Sequence, residues 1–300
     1  MKKFNVKKIL VPTDFSETAA HAVGQALNMA KLCSAEIKLL HVITPVYSTT
    51  NDVLISYGDQ FYRRLMKTMN ARLKVIAKEM GESLKIETEV RLGIVDQVIS
   101  EIAKKEKFDL IIMGTHGVSG IRERFIGSNA YRVVDNETCP VITVQRRSSK
   151  KGFKTIVLPI RLELTSRQKV DQVAGIAKIY GSTVLITGFS DSKNKYDQNR
   201  VKQYVKQVEK YLDSMGIAHS SSVFFEDNFI KEIILHAKKN KADLIAVTIN
   251  HDRSLDQFLK GPYAQQFVNH SSIPVMSVPV KENADTDLIY TPYMSGVSPV

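Results

Sequence analysis

The sequence predicts an α/β fold made of two doubly wound domains in tandem, each with a five-stranded parallel sheet. Three observations carry this expectation. Short β-branched and aliphatic runs alternate with longer segments of helical period, the runs recur in the same order in both halves, and the intervening segments are long enough for crossover helices. The recurrences are specific. Lys8-Ile9-Leu10-Val11-Pro12-Thr13-Asp14 is echoed by Thr155-Ile156-Val157-Leu158-Pro159-Ile160-Arg161, and Cys139-Pro140-Val141-Ile142-Thr143-Val144 by Ile273-Pro274-Val275-Met276-Ser277-Val278. Between them, the helix-like stretches 98–105 and 232–239 correspond.

In the first half, strands are expected near 7–12, 36–43, 85–91, 108–113 and 140–144. Helices are expected from Ser16 to about Leu32, near 57–80 and 95–106, and from about Gly127-Ser128. Ser16 is placed to cap the first helix, because its hydroxyl can accept an otherwise orphan amide of the first turn. The second half repeats the pattern, with strands near 155–158, 182–189, 220–225, 243–247 and 274–278 and helices near 166–180, 194–215, 228–240 and 261–270. Pro12 and Pro159 are each expected to end a central strand, since proline has no ladder donor. Buried strands joined by helical crossovers restrict the topology to parallel, right-handed units. The expected domains are 1–147 and 152–280, joined by the polar linker Arg146–Gly152. Residues 281–300 form a tail without period, either a flexible end or a docked strap.

Of 300 residues, 43% are hydrophobic, and 42 basic against 31 acidic side chains give a formal charge of +11. The basic excess is spread out, without a basic helix face interleaved with aromatics, so nucleic acid is disfavoured as a partner and nucleotide phosphates account for it equally well. No apolar run reaches the roughly 18 residues of a membrane span. Lys7-Lys8 interrupts any signal-like start, and a cytoplasmic location is the default expectation. Cys33 and Cys139 have no partners at metal-site spacing and are read as ordinary thiols.

Ligands of open α/β sheets collect outside the carboxyl ends of the strands, where strand order reverses. Asp14 follows strand one, Val42 and Ile43 end strand two, and Gly114 follows strand four; with strand one central, all converge on one crevice. Gly114 and Gly117 would bring bare amides close to phosphate oxygens. Gly127-Ser128-Asn129 opens the next helix, whose free amides favour an anion. Thr115 or His116 would line the rim. Asp14 suits a ribose hydroxyl, a base edge or a magnesium ion, or caps the following helix. Gly93 gives clearance beside a sugar or simply turns the chain, while Val42 borders a base or is an ordinary strand residue. His116 is a phosphate contact, a proton shuttle or a solvated loop residue; His21 and His41 read as structural. No Walker lysine follows the glycines, and Pro12–Ser16 occupies the place of a dinucleotide fingerprint.

With Gly114, Gly117, nine residues, then Gly127 and Ser128, the chain resembles tandem-domain universal stress proteins over about residues 5 to 280. The resemblance implies domains of the adenine-nucleotide alpha-hydrolase-like type. It also implies ATP as ligand, often with magnesium or manganese, in a crevice that includes Asp14, Val42 and Gly93. The second half departs from that pattern: Arg161 stands for Asp14, Thr248 and His251 for the two glycines, Asp227 for Gly93, and Pro262 for Ser128 after a retained Gly261. It is expected to be degenerate for ATP; Arg161, His251 and Arg253 offer another anion site at most.

The expected function is a nucleotide-responsive regulatory or interaction protein with an unidentified protein partner. The segment Pro45 to Asp59 is its candidate moving element. The two domains are expected to form a pseudo-dimer through Val141–Val144 and Val275–Val278, with a homodimer of the whole chain also open. The alternatives are slow ATP hydrolysis with Asp14 positioning metal and water, or a non-nucleotide scaffold or small-ligand carrier.

Overall fold

A computed structural model of the protein describes residues 4–45, 47–50, 53–56, 58–81, 83–115, 128–145, 152–225, 228–249, 267 and 271–280. Two compact units divide the chain, one of Val6–Lys151 and the other of Gly152–Val300 together with Met1–Asn5.

The first unit runs β1 (Lys8–Pro12), α1 (Glu17–Cys33), β2 (Glu36–Ile43), β3 (Tyr47–Thr50), β4 (Val53–Ser56), α2 (Asp59–Met80), β5 (Ile86–Leu92), α3 (Val95–Lys105), β6 (Leu110–Gly114), α4 (Ser128–Asn136) and β7 (Val141–Val144). Its five main strands lie parallel in the order β5-β2-β1-β6-β7. The second unit runs β8 (Thr155–Ile160), a 3-10 turn (Leu164–Arg167), α5 (Val170–Tyr180), β9 (Thr183–Phe189), α6 (Lys195–Ser214), β10 (His219–Phe224), α7 (Phe229–Lys239), β11 (Leu244–Ile249) and β12 (Val275–Pro279). Its order, β10-β9-β8-β11-β12, is the same. In both units, the first strand lies at the centre and the order reverses beside it.

The strand sequences explain this placement. Ile9, Leu10 and Val11 of β1 and Ile156, Val157 and Leu158 of β8 are fully buried, as expected for strands covered on both faces. Helix α1 begins as expected, with Ser16 extended and its hydroxyl accepting the Ala19 amide. Its buried Ala19, Ala22, Ala26 and Ala30 form a face with little side-chain bulk against the sheet. A positive φ of 55° at Ser34 ends it.

An acidic residue at the start of the fourth strand anchors each central strand. One carboxylate oxygen of Asp109 accepts the amides of Lys7 (2.8 Å) and Lys8 (2.9 Å); one of Asp243 accepts those of Lys154 and Thr155, both at 3.0 Å. At the other end stand the prolines. The Asp109 amide meets the Lys8 carbonyl and the Asp243 amide meets the Thr155 carbonyl. Strand alternation therefore turns Pro12 and Pro159, four residues on, toward the same neighbours, β6 and β11. The paired register on those sides has stopped at Leu10 and Val157, so no ladder bond is lost. The expectation that both prolines end their strands is met at Pro12 and corrected at Pro159: β8 continues to Ile160, because its pairing with β9 extends to Gly188.

Two further differences have local causes. The helix expected from about 166 is broken into the 3-10 turn and α5, with the Ser166 hydroxyl accepting the Arg161 amide (3.2 Å) and donating to the Arg161 carbonyl (2.9 Å). Such serine bonds compete with helix continuation. Within 45–59, β3 and β4 pair antiparallel from Tyr47 with Ser56 to Thr50 with Val53. The helix expected near 261–270 lies outside the described residues apart from Phe267, which is helical and buried; the tail 281–300 lies outside them altogether. No described helix is long and apolar enough to cross a membrane.

Phe4 packs within the second unit. Its amide donates to Asp171 (3.0 Å), whose other oxygen accepts the Tyr211 hydroxyl (2.9 Å). Gly175 on α5 makes room for it: a Cβ there would lie 2.7 Å from both the Phe4 carbonyl oxygen and its ring. Replacing Gly175 with alanine should therefore destabilise the second unit by about 1–3 kcal/mol through overpacking, despite alanine's better helix propensity. Urea unfolding followed by the near-ultraviolet signal of its tyrosines checks this.

Candidate functional site

The strand order reverses between β2-β1 and β6, and in open α/β sheets such a reversal marks the carboxyl edge as the place of a ligand crevice. Its floor is the segment Thr13–Thr18. The Thr13 amide continues the sheet to the Leu40 carbonyl at 2.8 Å, while the Thr13 carbonyl accepts Nδ1 of His41 at 2.8 Å. The chain then reverses sharply. Thr13 Oγ1 accepts the Phe15 amide (3.1 Å) and Asp14 Oδ1 accepts the Ser16 amide (3.0 Å), with Phe15 at φ 65°. A bulky aromatic residue at positive φ is a backbone outlier. Its ring lies 4.6 Å from that of His41, and the guanidinium of Arg72 from α2 covers it at 4.3 Å.

The other walls join this floor. Val42 is half-buried on β2, paired with Arg91 of β5. Gly93 donates its amide to the Ile43 carbonyl at 3.0 Å, at φ 151°, where a Cβ would lie 2.7 Å from Val98 Cγ2. Here the turn does require glycine. Asp14, Val42 and Gly93 thus stand on three neighbouring strand ends linked by hydrogen bonds; one oxygen of Asp14 closes a local turn onto the Ser16 amide, while the capping of α1 falls to Ser16 and not to Asp14.

Gly114 has a geometric role in the fold besides the one its motif suggests. A Cβ on it would lie 2.9 Å from the Ala19 amide and the Thr18 carbonyl carbon, so the glycine lets the first turn of α1 approach the end of β6. Thr115 is buried, and both its amide (3.0 Å) and its hydroxyl (3.4 Å) meet the Val144 carbonyl. Both groups are thus directed to the end of β7, one residue past the end of β6. His116, Gly117 and Gly127 lie outside the described residues; Ser128 is the first residue of α4, and Asn129 beside it is exposed.

No cluster of three or more His, Cys, Asp or Glu side chains that could hold a metal occurs among the described residues. Both cysteines are free, and burial pushes the Cys139 thiol up to about 12, with Glu137 adding in the same direction. Such a thiol is a poor nucleophile at neutral pH.

Register identifies the corresponding positions in the second unit. Pro12 pairs with Leu40 and Pro159 with Thr187, so Arg161 matches Asp14 and Phe189 matches Val42. Ile9 pairs with Leu110 and Ile156 with Leu244, so Thr248 matches Gly114. The contents differ throughout. The Phe229 ring lies 4.9 Å from Phe189 and 5.5 Å from Phe267, and Arg161 lies over it at 4.9 Å while pairing with Glu163 at 3.1 Å. Where β6 ends at Gly114, β11 continues past Thr248 to Ile249. Asp227, His251, Arg253, Gly261 and Pro262 lie outside the described residues. Sequence reasoning missed this aromatic cluster; its signal was a phenylalanine at the end of β9 and another at the start of α7.

Sequence reasoning also missed Lys169, a buried lysine whose Nζ donates to the Ser166 carbonyl at 2.5 Å. Burial pushes its amine down to about 7, opposed by Glu163 and reinforced by Arg161.

Two outcomes follow from these contacts. Gly114→Ala should lower the stability of the first unit by about 1–3 kcal/mol even without ligand, because backbone atoms of Thr18 and Ala19, beside the Thr18 hydroxyl, meet the new methyl; chemical denaturation checks it. For Lys169, the folded state releases its proton before the unfolded state does, so the unfolded chain binds more protons between about pH 7 and the ordinary lysine value of 10.5. Stability should rise with pH across that window, and Lys169→Met should flatten the slope, as measured by urea midpoints at pH 7, 8 and 9.

The sequence pattern of the Universal stress protein family matches residues 5–145 and 152–279. Universal stress protein MJ0531 of Methanocaldococcus jannaschii is 34% identical over 142 residues, which make up 47% of this chain and 82% of that one. MJ0577 of the same organism is 31% identical over 157 residues, covering 48% and 97%, and YxiE of Bacillus subtilis is 31% identical over 145 residues, covering 46% and 98%. Each relative thus aligns with about half of this chain. The crystal structure of a universal stress protein from Archaeoglobus fulgidus has the same fold across both halves, with a TM-score of 0.73 at 18% identity over 94% of this chain and 99% of that one. With the family pattern occurring twice on two matching sheets, the chain belongs to the universal stress protein family as a tandem-domain member.

Proposed function

We propose that the first unit binds ATP in the crevice at the carboxyl edge of β1, β2 and β6, and that the chain is a nucleotide-responsive regulatory or interaction protein. The observation that carries this reading is the linkage of Asp14, Val42 and Gly93 on three neighbouring strand ends, in the half that also holds the Gly114, Gly117, Gly127, Ser128 spacing. Asp14 would receive the ribose hydroxyls, Val42 would border the base, and Gly93 would leave room beside the sugar. Gly114 and Thr115 would close the crevice at the end of β6. His116, Gly117, Gly127, Ser128 and Asn129 would surround the phosphates, with the opening amides of α4 aimed at negative charge.

The residues suit magnesium or manganese only as a companion of the nucleotide. Asp14 offers a single carboxylate, which fits an ion held mainly by phosphates and water. When bound, the ion would neutralise phosphate charge. The second unit supports the reading by contrast: arginine and packed phenylalanine rings occupy the positions matching Asp14 and Val42, so we propose that it does not bind ATP in this way.

Calorimetry of the full chain with ATP and magnesium tests the proposal. Wild-type protein should bind one ATP per chain. Asp14→Ala should weaken binding roughly 10- to 100-fold through loss of charge-assisted hydrogen bonds. Absence of heat with either magnesium or manganese sinks the reading, and two equivalent sites sink the asymmetry.

A further inference from the structure

We infer that Arg72 is a positioning residue for the nucleotide site, acting through the Phe15 ring on the loop that carries Asp14. The inference rests on the ATP reading of that site. Arg72 is exposed on α2 and approaches the loop from outside, its guanidinium 4.3 Å from the Phe15 ring centroid. On the ring's account the loop is also tied to β2. Phe15 lies 4.6 Å from the imidazole of His41, and that imidazole donates to the Thr13 carbonyl. His41 immediately precedes Val42, and Phe15 immediately follows Asp14. The Phe15 ring, in contact with both His41 and Arg72, therefore ties together the two segments that carry these expected nucleotide contacts.

The backbone gives these ring contacts something to do. Phe15 sits at φ 65°, a conformation that an aromatic residue adopts only when its surroundings hold it there. This reversal lets the Asp14 carboxylate turn back onto the Ser16 amide and directs the chain into α1. With the ring released, the loop can relax toward ordinary φ values and carry Asp14 away from the ribose position. A cation over an aromatic face is a modest interaction at the surface, suited to tuning a loop and too weak to hold a fold together. Because Arg72 lies within α2, displacement of that helix would be felt at the site.

A double-mutant cycle on the full chain tests this, using Arg72→Met, which keeps the aliphatic stem, and Phe15→Leu, which keeps bulk without a π face. ATP affinity should fall roughly two- to fivefold in Arg72→Met, recover in part in Arg72→Lys, and show no further loss when Arg72→Met is added to Phe15→Leu. In the nucleotide-free protein, Arg72→Met should speed amide exchange at Phe15 and Ser16 while leaving the melting temperature unchanged. Unchanged affinity and exchange in Arg72→Met, with wild-type protein binding ATP, overturns the inference alone. An equal loss in both Phe15 backgrounds also overturns it. Failure of the wild type to bind ATP removes the inference together with the reading beneath it. Should Phe15→Leu not fold, the comparison of methionine with lysine at position 72 and the exchange rates decide the matter.

Discussion

One aspartate oxygen receiving two successive amides at the start of the central strand is the constraint on which each unit depends. Asp109 does this for Lys7 and Lys8, and Asp243 for Lys154 and Thr155. Charge-assisted bonds of this kind are stronger than neutral ones and fix strand one beside strand four. At the opposite end, Pro12 and Pro159 present no donor to strand four, and the register on that side is already finished. The two central strands are thus fastened at their amino ends and parted at their carboxyl ends. A crevice at the carboxyl edge is a product of that asymmetry before any ligand residue is considered.

Given one scaffold, the two units diverge by what the crevice receives. In the first unit, glycine permits a positive φ at 93 and a close backbone approach at 114, and an aspartate stands after the central strand. In the second, arginine follows the central strand, phenylalanine ends β9, and threonine keeps β11 in the ladder. The aromatic rings then complete a local core over which Arg161 lies. The two units share one sheet order because its bonds are mostly backbone bonds, while the side chains at the strand ends differ and set a different chemistry.

Features set by periodicity were readable from the residues alone. Both sheets, the central place of β1 and β8, and the Ser16 cap follow from apolar runs, crossover lengths and one hydroxyl in the right place. Features set by contacts between distant segments were not. Nothing local announces that Phe15 takes a positive φ, since intrinsic preference argues against it; the ring contacts with His41 and Arg72 accompany it. The motif around Gly114 was legible, but its proximity to Thr18 and Ala19 depends on how α1 returns to the sheet. Likewise, β8 outlasts Pro159 because β9 is still present to pair with it.

The contact of Phe4 with Asp171 and Gly175 has a temporal consequence. A chain is made from its amino terminus, and 167 residues separate the two hydrogen-bonded partners. At ordinary rates of translation, the aromatic ring waits roughly 10–30 s after its own synthesis before the groove that receives it exists. Phe4 therefore leaves the ribosome well before the groove that receives it, and a nascent first unit carries an undocked phenylalanine throughout that interval.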